Sequence, residues 1–166
     1  MHDLWPDNIE TIDTKSPVAI LQEQAALLGQ KTKNLVKAQV IRGKQPSIDD
    51  IKLATSFSKL PSLAEPTFVY DFLITAPPLD FYTYRAFTIQ HSIDLYPVRI
   101  WADQDIRVEI APESTKRIIE AASEAEFIYI LGQILATEKI RRVIGALLAQ
   151  IEVVTPDVFS PVTVNY

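Results

Sequence analysis

The spacing of apolar residues divides the chain into helical and extended stretches. Between residues 16 and 31, apolar side chains recur every three to four residues, as on one face of a helix. Ser16 suits the N-cap and Pro17 the first helical position. The stretch therefore predicts an N-terminal helix.

The middle of the chain alternates apolar and polar residues, which is typical of strands with one buried face. Residues 34–43, 67–76 and 80–96 each predict a strand, and the short link between the last two predicts an antiparallel hairpin. Residues 98–101 and 106–110 flank the turn-forming sequence ADQD and predict a further hairpin. Beyond Pro97 the apolar side moves from odd to even positions, which predicts a bulge or corner there.

The last third of the chain predicts helices. A short helix is expected from Pro112 to about Ala122. Ser123 and Glu126 match a capping box that opens the next helix. Two successive apolar stripes are out of phase, so we expect two helices, or one helix bent sharply near Ala136.

Together these elements predict an α+β fold in a single domain spanning residues 1–166. We expect an antiparallel sheet of about four or five strands, with an N-terminal helix and two to three C-terminal helices packed on one face. Three segments fall outside this plan. They are an irregular arm at 1–15, a long loop or insertion at 43–66, and an extended tail at 152–166.

Composition narrows the classes of function. The chain has 166 residues, a formal net charge of -5 and no cysteine. The acidic balance argues against nucleic-acid binding, and the missing cysteines argue against thiolate chemistry. The four glycines are scattered rather than clustered in a phosphate-binding loop. With no apolar run of membrane-spanning length and no signal peptide, we expect a cytoplasmic protein without membrane contact or cofactor.

The sequence FTIQHSIDL, residues 87–95, raises the question of what His91 does. Alternation places it on the apolar face of its strand, and the only other histidine is His2, so no metal site is expected. A core or interface histidine is favoured over a catalytic one. In the alternative, Asp71, Tyr84, Arg85 and His91 line a ligand cavity between sheet and helices, with Asp71 orienting His91.

Other residues suggest an interaction surface. Tyr82 and Tyr84 fall on the polar face of their strand, where they would bind a partner or pack under the C-terminal helices. Arg141 and Arg142 begin a helix and could bind an acidic group, whereas Gly145 and Ala149 would let another helix approach closely.

These features favour a non-catalytic protein-interaction or assembly protein that associates with itself. The alternative is a small-ligand-binding or enzymatic domain with a cavity between sheet and helices. Nucleic-acid binding through Arg141 and Arg142 is the least favoured hypothesis.

Overall fold

The computed structural model describes residues 1–44 and 66–154. Within these ranges the chain forms four helices and five strands, which are, in chain order, α1 (Pro17–Lys31), β1 (Lys37–Arg42), β2 (Phe68–Ala76), β3 (Tyr82–His91), β4 (Val98–Ala102), α2 (Gln104–Ile110), β5 (Ile119–Ala121), α3 (Glu124–Leu135) and α4 (Glu138–Val154). A short 3-10 turn, Pro77–Leu79, joins β2 to β3.

The five strands form one antiparallel sheet in the order β1-β2-β3-β4-β5, so each strand pairs with its neighbour in sequence. This architecture confirms the predicted α+β class. Residues 1–16 contain no helix or strand. Most of the loop expected at 43–66 lies outside the described residues, as does most of the tail expected at 152–166. Residues 152–154 are the end of α4, so the tail prediction is wrong for these three.

The helices pack against the face of the sheet that carries Phe72, Phe87 and Ile89. The core joins these strand residues to buried side chains from all four helices. Phe72 and Phe87 are a cross-strand pair whose ring centroids lie 4.9 Å apart. The buried side chains that the helices contribute are Ile20, Leu21, Ile106, Phe127, Ile130, Leu131, Ile134, Ile140, Leu147 and Ile151.

The predicted helix starts are formed by side-chain caps. The Ser16 hydroxyl accepts from the Ala19 N–H at 3.3 Å. The Ser123 hydroxyl accepts from the Glu126 N–H at 3.2 Å, and the Glu126 carboxylate accepts from the Ala122 N–H at 2.8 Å. These bonds satisfy N–H groups that have no partner inside a helix. The break between α3 and α4, at Ala136, also falls where the two apolar stripes of the sequence change phase.

Two local predictions are wrong. Residues 106–110 were expected to be a strand but belong to α2, because Ile106 and Ile110 are also spaced i, i+4 and face inward together. Residues 112–122 were expected to form a helix, yet they contain β5, which pairs with β4 at the sheet edge. A strand of three residues is too short for alternation to show.

A β-bulge in β3 overturns the predicted faces of that strand. Phe72 pairs with Phe87, but the next residue of β2 pairs with Arg85, so Ala86 is an extra residue. Both Ala86 and Phe87 are buried. The bulge reverses the alternation, so Tyr82 and Tyr84 share the helix-covered face with Phe87 and not the polar face predicted for them, while Arg85 faces away from the helices. The parity change near Pro97 has another origin, since β3 ends at His91 and β4 starts a new phase at Val98.

Candidate functional site

The four residues proposed to line a ligand cavity do not come together. Asp71 and Arg85 lie on the sheet face opposite the helices, and the Asp71 carboxylate accepts from the Thr88 hydroxyl at 2.5 Å. Tyr84 and His91 are on the helix-covered face but at opposite ends of β3. Asp71 therefore does not orient His91, and the geometry counts against the proposed polar cluster.

His91 is a core histidine at one end of the sheet. Only 5% of its surface is exposed, and its ring stacks on Phe68 and Tyr70 at centroid distances of 5.4 and 6.0 Å. The Arg42 guanidinium covers the same two rings, at 5.1 and 5.7 Å from their centroids. The histidine thus belongs to a layer of stacked planar groups that closes this end of the core.

The hydrogen bonds of His91 fix its tautomer. Its Nδ1 lies 2.7 Å from the Ser92 carbonyl oxygen, which can only accept, so Nδ1 carries the proton. The buried Nε2 has no hydrogen-bond partner among the described residues. Burial lowers the pKa of His91 below 6.5, with the nearby Arg42 charge acting in the same direction and the bond to Ser92 opposing it. His91 is therefore neutral at physiological pH.

Tyr84 and Tyr82 line a groove between the start of β3 and α4. The groove has a volume of about 450 Å³, and Leu79, Tyr82, Tyr84, Lys139, Val143, Ala146, Leu147 and Gln150 line it. The Tyr84 hydroxyl donates to the Asp103 carboxylate at 2.6 Å. Burial and this bond raise the pKa of Tyr84, so the phenol stays protonated as a hydrogen-bond donor. Tyr82 has no such bond among the described contacts and is 55% exposed.

The outer face of α4 carries the other predicted interaction residues. Arg141, Arg142, Gly145 and Ala149 are all exposed. A Cβ built on Gly145 would have no atom within 4 Å, so no described part of the chain covers this point of the helix. Among residues 1–44 and 66–154, therefore, no helix makes the close approach expected at Gly145.

A second groove, which the sequence reading missed, lies between α1 and the edge strand β1. Its volume is about 510 Å³, and its walls are formed by Gln22, Ala25, Ala26, Gly29, Asn34, Lys37, Ala38, Gln39, Val40 and Ile41. The signal available in the sequence was charge, because residues 31–44 contain five lysines and arginines and no carboxylate.

Neither a metal-binding cluster nor a membrane-spanning helix occurs in the parts of the chain that the structure describes. No group of three or more histidine, aspartate or glutamate side chains there could hold a metal ion. No helix among residues 1–44 and 66–154 has both the length and the apolar character to cross a bilayer. Comparisons with protein-family models, curated proteins and solved structures find no match to this chain.

Proposed function

We propose that the protein is a non-catalytic interaction protein that associates with a second copy of itself through the outer face of α4. The observation that carries the proposal is the open surface at Gly145. A helix face built from Gly145, Ala146 and Ala149 is flat enough for another helix to approach closely, and no described residue occupies it.

Neighbouring residues add apolar area to this face. Phe81 and Tyr82 at the tip of the β2–β3 hairpin are 69% and 55% exposed. Tyr82 shares a groove with Ala146, so the hairpin tip and α4 are adjacent. Exposed aromatic side chains beside small residues are typical of interface centres, because they give a large contact area for little loss of conformational entropy.

The charges on α4 suit an antiparallel pairing with a second copy. Arg141 and Arg142 lie near its N-terminal end, and Glu152 lies near its C-terminal end. A two-fold crossing centred near Ala146 would bring the arginines of each helix level with Glu152 of the other. A two-fold interface must be complementary to itself, and this charge order meets that condition.

The test is a mass measurement across a concentration series. We expect the wild-type chain to reach twice its mass of 18.7 kDa, and Gly145→Glu to weaken the association about tenfold or more by placing a carboxylate in the contact. Gly132→Glu is the matched control, since Gly132 is also an exposed helical glycine with open space around a Cβ.

Both substitutions remove a glycine from a helix interior, so each should stabilise its helix by up to about 1 kcal/mol. A loss of association in Gly145→Glu alone thus cannot arise from unfolding. A wild-type chain that stays monomeric at every concentration, or equal behaviour of the two variants, would contradict the proposal.

A further inference from the structure

The edge strand β1 presents, beside the groove along α1, peptide groups that no described strand pairs. The Gly43 N–H donates to the Val69 carbonyl at 2.8 Å, in register with the β1–β2 ladder. In an antiparallel pair, alternate residues direct both peptide groups to the neighbouring strand. The peptide groups of Ala38 and Val40 therefore point away from β2, and no described strand pairs with β1 on that side.

The walls of the groove are fixed by local hydrogen bonds. The Thr32 hydroxyl lies 2.6 Å from the Val36 carbonyl and accepts from the Val36 N–H at 3.3 Å. The Asn34 N–H donates to the Gly29 carbonyl at 2.8 Å. These bonds tie the end of α1 to the start of β1, so the separation of helix and strand is set before any ligand arrives.

Half of the ten residues that line the groove have short side chains. These are Ala25, Ala26 and Gly29 on the helix side and Ala38 and Val40 on the strand side. The alanines and the glycine of α1 leave room for the side chains of an added strand. A peptide that extends a sheet beside a helix gains its affinity from main-chain hydrogen bonds and its specificity from such side-chain space.

The charge around this edge is opposite to that of the whole protein. The net charge of the chain is -5, yet residues 31–44 carry Lys31, Lys33, Lys37, Arg42 and Lys44 without any carboxylate, and all five are exposed. On the adjacent strand the only carboxylate is Asp71, which lies on the sheet face opposite the helices, as Lys37 does, and accepts a hydrogen bond from Thr88. The edge therefore attracts anionic groups.

We propose that the open edge of β1 binds an extended peptide segment of a partner protein, with short apolar side chains in its middle and carboxylates at its ends. The segment adds to the sheet as a sixth strand beside the five that the structure describes. A second copy of this chain is a poor occupant, because pairing β1 with itself would oppose the same five cations. This inference concerns a different surface from α4 and does not depend on self-association.

A labelled synthetic peptide serves as the probe for fluorescence anisotropy. Valine and threonine alternate through its middle, two glutamates stand at each end, and both termini are blocked. We expect it to bind about tenfold tighter than a version with lysines at the ends, and its affinity to fall as salt rises. A version with a central proline should also lose binding, because proline cannot complete the ladder.

Two sets of variants test the location of binding. Ala38→Pro removes an N–H that points to the open edge, so it should abolish binding while preserving the far-ultraviolet circular dichroism spectrum. If that variant unfolds, Lys37→Glu with Lys44→Glu decides the matter, with an expected loss of about tenfold. The matched control is Lys116→Glu with Arg117→Glu, two exposed cations between α2 and β5, which should bind like the wild type.

Three results would overturn the proposal. The first is equal binding of the three peptides, or equal binding by the two charge-reversal variants. The second is a large gain in affinity when Val162→Pro and Val164→Pro are introduced, which would identify residues 155–166 of the chain itself as the occupant. The third is a monomeric Ala38→Pro variant of a dimeric wild type, which would make the edge a contact between copies.

Peptide binding by Gly145→Glu should match the wild type, so failure of self-association leaves this test intact.

Discussion

Replacing His91 with phenylalanine tests whether the core holds this histidine in its neutral form. Phenylalanine keeps a flat ring against Phe68 and Tyr70 and removes the buried Nε2 that has no described partner. It also loses the bond from Nδ1 to Ser92, which is worth about 1 kcal/mol. Above pH 7 we therefore expect the variant to be within about 1 kcal/mol of the wild type in its free energy of unfolding.

The decisive quantity is the dependence of that difference on pH. The pKa of His91 is lowered in the folded protein, whereas the unfolded chain has the ordinary value of 6.5. Below pH 6.5 the unfolded state binds a proton that the folded state excludes, so the contribution of neutral His91 is present above this pH and lost below it. The limiting slope is about 1.4 kcal/mol per pH unit, so the wild type should lose stability relative to His91→Phe as the pH falls below 6.5, by at most this amount per unit.

Urea denaturation at a series of pH values measures this difference, and taking the variant as reference cancels the carboxylates that titrate in both proteins. His2→Gln is the control, because His2 lies in the exposed N-terminal arm and should leave the curve unchanged. Parallel curves for the wild type and His91→Phe would refute the argument, since they would mean that the folded protein binds the proton as readily as the unfolded chain.

Two further substitutions test the fold. Ser123→Ala should lower the free energy of unfolding by about 1 kcal/mol in thermal melts, because the Glu126 N–H loses its cap. Ser114→Ala removes a similar bond from the Lys116 N–H outside the helices, so a larger loss for Ser123→Ala isolates the effect of the helix cap. Phe87→Ala should cost about 3–5 kcal/mol through the cavity it leaves beside Phe72, as measured by urea denaturation, and a loss below about 1 kcal/mol would contradict the assigned core.

The elements that could be predicted from the sequence are those whose signals are local. Ser16 and Ser123 cap helices where their sequence contexts predicted, and the phase change between the apolar stripes marks the break between α3 and α4. Caps and stripes depend on residues within one or two turns of a helix, so no tertiary information is needed to recognise them.

The wrong predictions from the sequence arise where the apolar spacing fits both a helix and a strand, or where one extra residue shifts the alternation of a strand. Ile106 and Ile110 satisfy both a strand and a helix, and packing decides for the helix. Ala86 shifts the phase of β3, which a strict alternation cannot anticipate, so the faces of Tyr84 and Arg85 were wrongly assigned. The groove beside β1 depends on which strand ends the sheet, and that order is a property of the whole fold.

The extra residue in β3 has a consequence for how the chain can change in length. Side chains on the Tyr82 side of Ala86 reach α4 only because one residue is added there. Loss of that residue would reverse the alternation of the hairpin tip. Tyr82 and Tyr84 would then face away from the helices and Arg85 would face them, although no side chain had been replaced. Insertions between α2 and β5, at residues 112–118, carry no such penalty, because that segment has no strand phase to preserve. Length variation among natural versions of this protein should therefore spare β3 and accumulate at 112–118.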